Sequence, residues 1–521
     1  MKKIYRLLTS SFILSVLALS FSACSEDYMD KINEDKDSAK EAATRFILPD
    51  LMLRTAQNII GGDFNTYIGS YVEYWAGTHN QLYRAENRAA EVRLASTFNN
   101  GWGDLFTLIR NAKIAIDKSR TEDPEAVQAR AIAETMLAYI ISEGTDLFGD
   151  IPYTDVGNAW ETPYPSADSQ ESIYKEVFRL LDDAAASFAT KPASVGGQDF
   201  IYGGDNDAWI KFINGLKARY MMRLLNRSSS KDADLKKVID YVDASFASAE
   251  DQASMFYDGT NNQNPMFDFE WSRKAISSCT SMWGKLNERN DPRIDRVYWD
   301  PSTWKHYDGV TVETKLAPTG NTIETQGKYP YDVFALAEKA PIHFLSYYEL
   351  LFLKAEAQAR LGQTDAAKES LLEAMKASFV NMENNISAAL SAPSVLAATD
   401  GKGIEAIAVL KPEESEAMAE AYFEDSVEAL FDADPLKEIM IQKYIGLWGS
   451  NGEAVETYAD IRRFKAEGKG DIYGLINSGK FPLRCPYGND DVTANPNIEK
   501  LFTDAGNYIF TENVWWAGGS R

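Results

Sequence analysis

Apolar residues recur along much of the chain with the 3.6-residue period of an α-helix. Between Trp209 and Leu224, large apolar side chains fall every three or four positions, while Lys211, Asn214 and Lys217 occupy the opposite face. This spacing predicts a helix with one buried face. The same pattern predicts further helices at 98–118, 124–148, 168–189, 205–227, 413–430, 434–447 and 453–467. The chain is therefore predicted to be mainly α-helical.

The start of the helix at 124–148 carries a local signal. Asp123, Pro124 and Glu125 stand in the order of a capping acid, a first-turn proline and an acid that complements the helix dipole. Gly149 marks its end. These residues predict a helix that begins directly after Asp123.

The segment 348–377 has the spacing of a tetratricopeptide helix pair. Ala355 lies in a first helix, Gly362 at a turn, and Ala367 and Ala374 in a second helix. Small residues at these positions let two helices approach closely, and glycine reverses the chain. The helices at 98–118, 124–148, 168–189 and 205–227 are expected to form further, degenerate pairs that stack on this one. The predicted scaffold is thus a set of tetratricopeptide-like helical pairs.

Long stretches without a clear period separate these helices, and tryptophan and tyrosine collect in them. They are 61–97, 149–167, 190–206, 251–345, 379–412 and the tail from about 470. Loops of this length are uncommon in compact domains unless they are functional. Because no Pro/Ser-rich linker divides the chain after residue 40, we predict a single α-helical domain at 41–521 with long irregular ligand-binding loops.

The N-terminus resembles a bacterial lipoprotein leader. Basic residues precede an apolar run at 12–21, and Ser22 and Ala23 stand directly before Cys24. We predict a signal peptide at 1–23, lipidation of Cys24 and an acidic flexible tether at 24–40. The alternative is an ordinary cleaved signal peptide followed by an incidental cysteine. No other run approaches the eighteen or so apolar residues that a membrane-spanning helix needs.

The charge balance excludes one class of partner. The formal net charge is −24, and loss of a basic leader makes the mature chain more negative still. Such a surface repels phosphate backbones, so no nucleic acid partner is expected. Besides Cys24 there are two cysteines, Cys279 and Cys485. The sequence leaves open whether they pair.

Several short motifs, in this order, resemble the SusD/RagB-like family of Bacteroidetes outer-membrane lipoproteins. They are Trp102 with Ile109 and Asn111-Ala112, Phe148-Gly149-Asp150-Ile151-Pro152-Tyr153, Asn290-Asp291-Pro292-Arg293, Tyr347-Tyr348-Glu349 before Ala355-Glu356-Ala357, Gln442-Lys443-Tyr444, Ala459-Asp460-Ile461-Arg462-Arg463 and Val514-Trp515-Trp516. The resemblance spans nearly the whole mature chain. It departs at 484–490, where the family usually shows an aromatic residue after the arginine and a glutamate after the proline turn.

The resemblance implies a location and a partner. Family members sit as a lid over a SusC-like TonB-dependent β-barrel transporter, and they bind oligosaccharides or, in some relatives, peptides. The acidic residues after Cys24 are similar to the family's surface-export signal. The resemblance thus implies a protein that is lipid-anchored in the outer membrane and faces the cell exterior.

No catalytic signature is found in the chain. There is no Gly-rich phosphate loop, nucleophile elbow or zinc-protease motif, and His79, His306 and His343 are dispersed without ligand spacing. No enzyme activity, catalytic residue, cofactor or metal is predicted. A hidden pair of glycosidase carboxylates stays open. Structural calcium is possible at Asp432 and Asp434 but is not indicated by any calcium-loop pattern.

Sugar binding requires flat rings beside planar polar groups, because pyranose faces are apolar and buried hydroxyls need partners. We predict ligand contacts in the loop 74–84 and in two later loops. The candidate residues are Trp75, His79, Asn80, Tyr83, Trp271, Arg273, Trp283 and Trp304. The alternative for each ring is a core position, which is expected for Trp102, Trp209, Trp515 and Trp516. Trp75, which no helical period explains, is the foremost candidate.

Together these features predict a surface lipoprotein that captures a nutrient, with a glycan as the leading hypothesis, for a SusC-like transporter. A peptide-binding lipoprotein is the first alternative. A surface glycosidase and a scaffold that makes only protein contacts are two further ones.

Overall fold

The computed structural model describes residues 43–88, 95–501 and 507–521. The predicted leader, Cys24 and the acidic tether lie outside these residues. Contacts divide the chain into Met1–Ala43 and Thr44–Arg521, and the following concerns the second unit.

Helices account for most of the described residues, which confirms the predicted fold class. The α-helices are α1 (Leu48–Arg54), α2 (Asp63–Tyr71), α3 (Asn80–Glu86), α4 (Asn99–Thr121), α5 (Val127–Phe148), α6 (Gln170–Ala189), α7 (Asn206–Arg223), α8 (Lys231–Asp243), α9 (Pro265–Arg273), α10 (Thr280–Glu288), α11 (Gly309–Glu313), α12 (Tyr347–Arg360), α13 (Thr364–Leu390), α14 (Pro393–Ala398), α15 (Pro412–Tyr422), α16 (Glu428–Ala433), α17 (Pro435–Gly446), α18 (Ala454–Ala466), α19 (Asn489–Ala494), α20 (Pro496–Glu499) and α21 (Tyr508–Thr511). Two π-helical segments, Thr55–Ile60 and Phe423–Val427, continue α1 and join α15 to α16.

Strands are short and pair over long sequence distances. They are β1 (Ala76–Gly77), β2 (Ile151–Pro152), β3 (Ala167–Asp168), β4 (Ala253–Met255), β5 (Ile276–Ser277), β6 (Tyr298–Trp299), β7 (His306–Tyr307), β8 (Tyr331–Asp332) and β9 (Ile342–Leu345). β1 pairs with β5, β2 with β3 and β4 with β9, while β6 lies between β7 and β8. All of these pairings are antiparallel.

The long helices form a continuous stack in which each packs on the next. α4 packs on α5, α5 on α6, α6 on α7, α7 on α8, α8 on α12, α12 on α13, and α13 on α15 and α17. The turn of the predicted tetratricopeptide-like pair is confirmed, since Gly362 has a φ of 73° between α12 and α13. Ala355, Ala367 and Ala374 are fully buried where these two helices meet.

Two predictions about local structure are wrong. The helix α5 begins at Val127 with Ala126 as its N-cap, while Asp123 precedes a turn closed by the hydrogen bond from Ala126 N to Asp123 O at 2.9 Å. The stretches predicted to be irregular also contain α2, α3, α9 and α10, and α13 extends into the stretch 379–412 as far as Leu390. The four separate helices have only seven to nine residues, so each repeats its apolar spacing over about two turns, a weaker signal than that of the long helices.

The interior of the stack contains ion pairs as well as apolar side chains. Arg219 on α7 forms a two-bonded pair with Glu349 on α12, with N to O distances of 2.8 and 2.5 Å, and both side chains are buried. Arg223 reaches Asp146 on α5 at 2.5 Å. Because an unpaired charge is very costly in a low-dielectric interior, these pairs hold α5, α7 and α12 in one arrangement.

The structure shows the state of the two cysteines whose pairing the sequence left open. Cys279 and Cys485 are both buried and free, so they are not paired with each other.

Within the described ranges, no helix combines the length and apolar character required to cross a bilayer.

Candidate functional site

The helix α9 separates two kinds of cavity. Its N-cap is Asn264, whose side-chain oxygen accepts hydrogen bonds from the N–H groups of Met266 and Phe267, and Pro265 occupies its first turn. Its C-cap is Lys274, which adopts a left-handed conformation with a φ of 49°. Caps at both ends fix this nine-residue helix despite its short length.

One face of α9 borders an aromatic cleft of about 310 Å³. Its walls include the rings of Trp271 and Trp304, whose centroids are 6.3 Å apart with an angle of 39° between their planes. Trp271 also stacks on Phe267 one turn earlier, at 5.3 Å and 19°. The remaining lining residues are Glu270, Lys274, Pro301, Tyr331, Ala335, Leu336 and Ala398.

The second tryptophan is held by its own backbone. Trp304 has a φ of 59°, a conformation that is uncommon for residues other than glycine. Its N–H donates to Asp300 O at 2.9 Å, and its carbonyl accepts from Glu405 N at 2.7 Å. Hydrogen bonds from two sides fix this unfavourable backbone conformation, which sets the direction in which the side chain of Trp304 leaves the chain at the cleft.

Glu270 lies beneath the aromatic cleft and is only 2% exposed. Its Oε2 atom accepts hydrogen bonds from Ala275 N at 2.9 Å and Ile276 N at 2.6 Å, which ties the end of α9 to β5. Burial raises the pKa of Glu270 to about 8, although these two hydrogen bonds act in the opposite direction. The carboxyl is therefore mostly neutral at pH 7 and fixes the backbone beside the cleft.

The opposite face of α9 borders a polar groove of about 570 Å³. The helical positions Pro265, Asp268, Phe269 and Ser272 face it at the three- and four-residue spacing of one helix face. The facing wall comes from the segment before α2 and from the loop 260–263. The remaining lining residues are Gln57, Asn58, Gly62, Asp63, Thr66, Thr260, Asn261, Asn262, Gln263 and Arg273.

A smaller polar cavity of about 210 Å³ shares Phe269, Ser272 and Arg273 with this groove. Its other lining residues are Tyr67, His79, Asn80, Gln81, Leu82, Ala275 and Gln326. The pairing of β1 with β5 brings the loop before α3 next to the end of α9. This cavity is thus assembled from residues almost two hundred positions apart in the chain.

Five of the eight predicted ligand residues line these cavities. Trp271 and Trp304 meet in the aromatic cleft, and His79, Asn80 and Arg273 meet in the small polar cavity. The two groups flank the same helix, since Trp271 and Arg273 are separated by one residue of α9. The structure therefore brings together residues from all three predicted loops.

Trp75, the foremost sequence candidate, lies in the core, contrary to the prediction. Its ring is 1% exposed and its indole N–H donates to Thr66 O at 3.0 Å. Gly69 leaves room for the ring, because a Cβ atom there would lie 1.9 Å from a carbon of the indole. A ring without an exposed face cannot stack on a ligand, so Trp75 supports α2 instead.

Tyr83 and Trp283 are half-buried and line none of the three cavities. The indole N–H of Trp283 donates to Gly309 O at 2.8 Å, so the ring joins α10 to α11. Among the rings predicted to be structural, Trp102, Trp209 and Trp516 are buried, whereas Trp515 is half-buried under the guanidinium of Arg227.

Sequence reasoning missed several cavity residues. Tyr331 reaches the aromatic cleft because β8 pairs with β6 next to Trp299, a register that the sequence does not show. Gln81 lies one position after the predicted Asn80, and the amide chemistry of the loop 79–81 was the only signal for it. Lys274 follows Arg273 directly, at the end of a helix that was not predicted.

The described ranges contain no group of three or more His, Cys, Asp or Glu side chains suited to holding a metal ion. The two acids considered for calcium have other partners. Asp432 pairs with Lys368 at 2.6 Å, and Asp434 caps α17 by accepting from Lys437 N at 3.2 Å. These two carboxylates thus have structural roles on the surface.

A helical scaffold that presents an aromatic cleft and polar cavities between irregular loops defines a class of binding protein. Comparison with known families identifies which one. Residues 36–488 match the SusD-like family described as starch-binding and associating with the outer membrane, and the chain belongs to this family. Its members are nutrient-binding proteins associated with the outer membrane. The comparison with curated proteins found no match.

Solved structures show the same fold. A SusD/RagB family protein from Bacteroides thetaiotaomicron VPI-5482 is 42% identical, with a TM-score of 0.85 over 92% of this chain and 100% of that one. A chitin-binding protein is 19% identical, with a TM-score of 0.67 over 92% and 100%. A SusD homologue from Bacteroides fragilis NCTC 9343 is 18% identical, with a TM-score of 0.68 over the same shares.

Proposed function

We propose that this protein binds an oligosaccharide or polysaccharide in the aromatic cleft beside α9 and delivers it to a SusC-like TonB-dependent transporter. The observation that carries the proposal is the pair formed by Trp271 and Trp304. Their rings stand 6.3 Å apart at an angle of 39°. Two inclined apolar surfaces fit successive faces of a twisted sugar chain, which are themselves flat and apolar.

The polar cavities supply the complementary chemistry. A sugar whose face rests on a ring still has hydroxyl groups that need hydrogen-bond partners. On the other side of α9, Gln57 and Thr260 line the groove, and Asn80 lines the small cavity, without side-chain hydrogen bonds to the described residues. These polar side chains are available to a ligand without breaking internal contacts.

The proposed location rests on the N-terminal sequence and on the family. Cys24 would carry the lipid that anchors the protein in the outer membrane, and the acidic residues 25–40 would act as a tether on the external side. Two acyl chains are sufficient for a stable anchor, since each buried methylene contributes about 0.8 kcal/mol. A SusC-like barrel is the proposed partner because the chain belongs to the SusD-like family.

A passive binding role is favoured over catalysis by the chemistry of the cleft. Glu270 is the acid that lines it, and a glycosidase needs a second carboxyl on the other side of the scissile bond. Peptide binding, known in RagB-like relatives, is the second candidate function. It is supported by the polar groove, where carboxylates and amides could pair with a peptide backbone.

The test is a binding screen with the purified mature protein. A panel of plant, host and microbial glycans, together with a mixed peptide library, is assayed by native affinity electrophoresis and calorimetry. We expect at least one glycan to be retained and its reducing-end concentration to stay constant. Retention of peptides without any glycan would replace the proposal by the peptide alternative. Sustained release of new reducing ends would show an enzyme.

A further inference from the structure

Arg273 stands out among the charged residues around α9. Its guanidinium lies over the ring of Phe269, 5.5 Å from the ring centroid, and the side chain is exposed. No carboxylate within the described part of the chain forms an ion pair with it, and its side chain donates no hydrogen bond there. Its charge acts on Asp63, where it opposes the rise that burial causes in the pKa of that carboxyl, but no direct ion pair engages the guanidinium. Its N–H groups are therefore available for a ligand.

The small polar cavity that Arg273 lines contains no acidic residue in its walls. Gln81 adds a donor: its Oε1 atom accepts a hydrogen bond from the Tyr67 hydroxyl at 2.8 Å, and none of the described residues accepts from its amide N–H groups. Asn80 adds a second amide whose side chain is not engaged within the described residues. The cavity therefore offers one positive charge and several N–H donors, which is the chemistry that binds a carboxylate.

The neighbouring acids lie elsewhere. Asp63 and Asp268 line the larger groove rather than the small cavity. Glu324 lies at the rim, where it accepts from Asn80 N at 3.1 Å and its Oε1 is 3.9 Å from His79 Nδ1. Since the Glu324 side chain is 53% exposed, water and salt screen its charge. An anion thus finds its favourable position in the small cavity and not in the groove.

We propose that the small polar cavity binds a carboxylate group of the ligand through Arg273. The nutrient is then a glycan that carries an acidic sugar beside the neutral segment held by Trp271 and Trp304. This inference rests on the proposed glycan-binding function. A ligand with isolated acidic sugars fits better than a dense polyanion, because the overall negative charge repels a chain of many carboxylates.

The helix α9 carries a residue of each place on the same turn. Trp271 and Arg273 are two positions apart, so they point to different sides of that turn. The backbone there is fixed, since Gln326 Nε2 donates to Arg273 O at 2.8 Å and Gly327 N donates to Lys274 O at 3.1 Å. The points at which the two side chains leave the backbone are therefore held at a constant separation.

The experiment compares acidic glycans with neutral counterparts of the same backbone. Glucuronic-acid-substituted xylan and hyaluronate, whose acidic sugars are separated by neutral ones, are each paired with their carboxyl-reduced form and titrated into the mature protein by calorimetry. We expect at least one acidic form to bind about tenfold or more tightly than its reduced form. Arg273→Gln should remove that preference by lowering the affinity for the acidic form to that for the reduced form.

Arg84→Gln is the matched control. Arg84 is an exposed arginine on α3 that lines none of the three cavities, so its removal changes the net charge equally without changing the site. Equal binding of acidic and reduced forms would overturn the inference while leaving glycan binding intact. So would an acidic preference that survives Arg273→Gln or is lost equally in Arg84→Gln. Failure of these glycans to bind in either form, while another glycan of the binding screen is retained, would overturn the inference alone. Failure of every glycan in the binding screen would overturn the proposed function as well.

Discussion

Replacement of Trp271 by alanine is the sharpest test of the aromatic cleft. The ring is 36% exposed, and its other face stacks on Phe267. The change removes one of two facing surfaces and leaves Trp304, whose position depends on its backbone hydrogen bonds to 300 and 405, in place. We expect weaker glycan binding without loss of the folded state.

The size of the effect follows from the exposed area. A tryptophan side chain presents roughly 250 Å², so 36% of it is roughly 90 Å². Covering all of that area stabilises a complex by about 2 kcal/mol at about 25 cal/mol per Å², and covering half of it by about 1 kcal/mol. Trp271→Ala should therefore weaken binding by about 5-fold to 30-fold.

The assay is calorimetric titration of the glycan found in the binding screen, with thermal unfolding of each variant measured in parallel. Trp160→Ala is the control, because Trp160 is fully exposed at 100% and lines none of the three cavities. Unchanged affinity in Trp271→Ala, with unfolding like wild type, would refute the assignment of the cleft. An equal loss in Trp160→Ala would also refute it.

Three further predictions concern the buried groups. Burial raises the pKa of Glu270 to about 8, so the folded state holds a proton that the unfolded state releases, and the free energy of unfolding falls as pH rises from about 4.5 to 8. Glu270→Gln should reduce this fall by up to about 3 kcal/mol at pH 7, measured by urea titrations at pH 5, 7 and 8. The same pH dependence in wild type and variant would contradict the prediction. Glu349→Ala leaves the buried Arg219 without its two-bonded partner, so urea titrations should show a free energy of unfolding lower by about 3–5 kcal/mol. A loss below about 1 kcal/mol would show that Arg219 is satisfied elsewhere. Burial raises the pKa of both Cys279 and Cys485 to about 12, so a thiol reagent at pH 8 should label them only after denaturation, and rapid labelling of the native protein would contradict their burial.

The scaffold could be predicted from the sequence because long helices repeat their signal. Trp209 shows this: it belongs to a run of several turns on one face, and in the structure it is buried with its indole N–H donating to Asp199 at 2.7 Å. The repeated apolar positions along α7 predict the helix more reliably than any single residue does. Gly362 at the turn between α12 and α13 was likewise visible, since a short helix connection has few alternatives to glycine at positive φ.

Trp75 shows where this reasoning fails. It was assigned to a loop because α2 was not recognised, although Phe64, Tyr67, Ile68 and Tyr71 repeat at helical spacing and are all buried. The carbonyl that accepts its indole N–H and the glycine that makes room for its ring both belong to that helix. A core position for Trp75 follows once the helix is known.

The cavities themselves could not be predicted, because they depend on pairings between distant short strands. Two-residue strands carry no period, and the contact of β1 with β5 joins residues 76–77 to 276–277. The predicted chemistry of His79, Asn80 and Arg273 was compatible with one site, but only this pairing shows that they share a cavity. Local sequence therefore identified the functional groups and long-range register assembled them.

Buried carboxyl groups explain how irregular loops can keep fixed positions. Isolated two-residue strands contribute little stability, so the walls of the cavities need support from groups that cannot easily rearrange. Glu270 provides it at the end of α9, where one carboxyl oxygen holds two consecutive backbone N–H groups. Glu73 fixes a loop away from the three cavities in a similar way, since its carboxylate accepts from Ile476 N and Asn477 N at 2.9 and 2.8 Å.

Each of these carboxyls is costly to bury and would be more costly to leave without its hydrogen bonds. Moving a loop away from Glu73 or Glu270 would therefore leave a buried polar group without hydrogen-bond partners, which gives the loop a single favoured position. A ligand that binds between walls fixed in this way loses little free energy to ordering the protein. The positions of Trp271 and Arg273 thus depend on the buried carboxyl of Glu270 as well as on the helix that carries them.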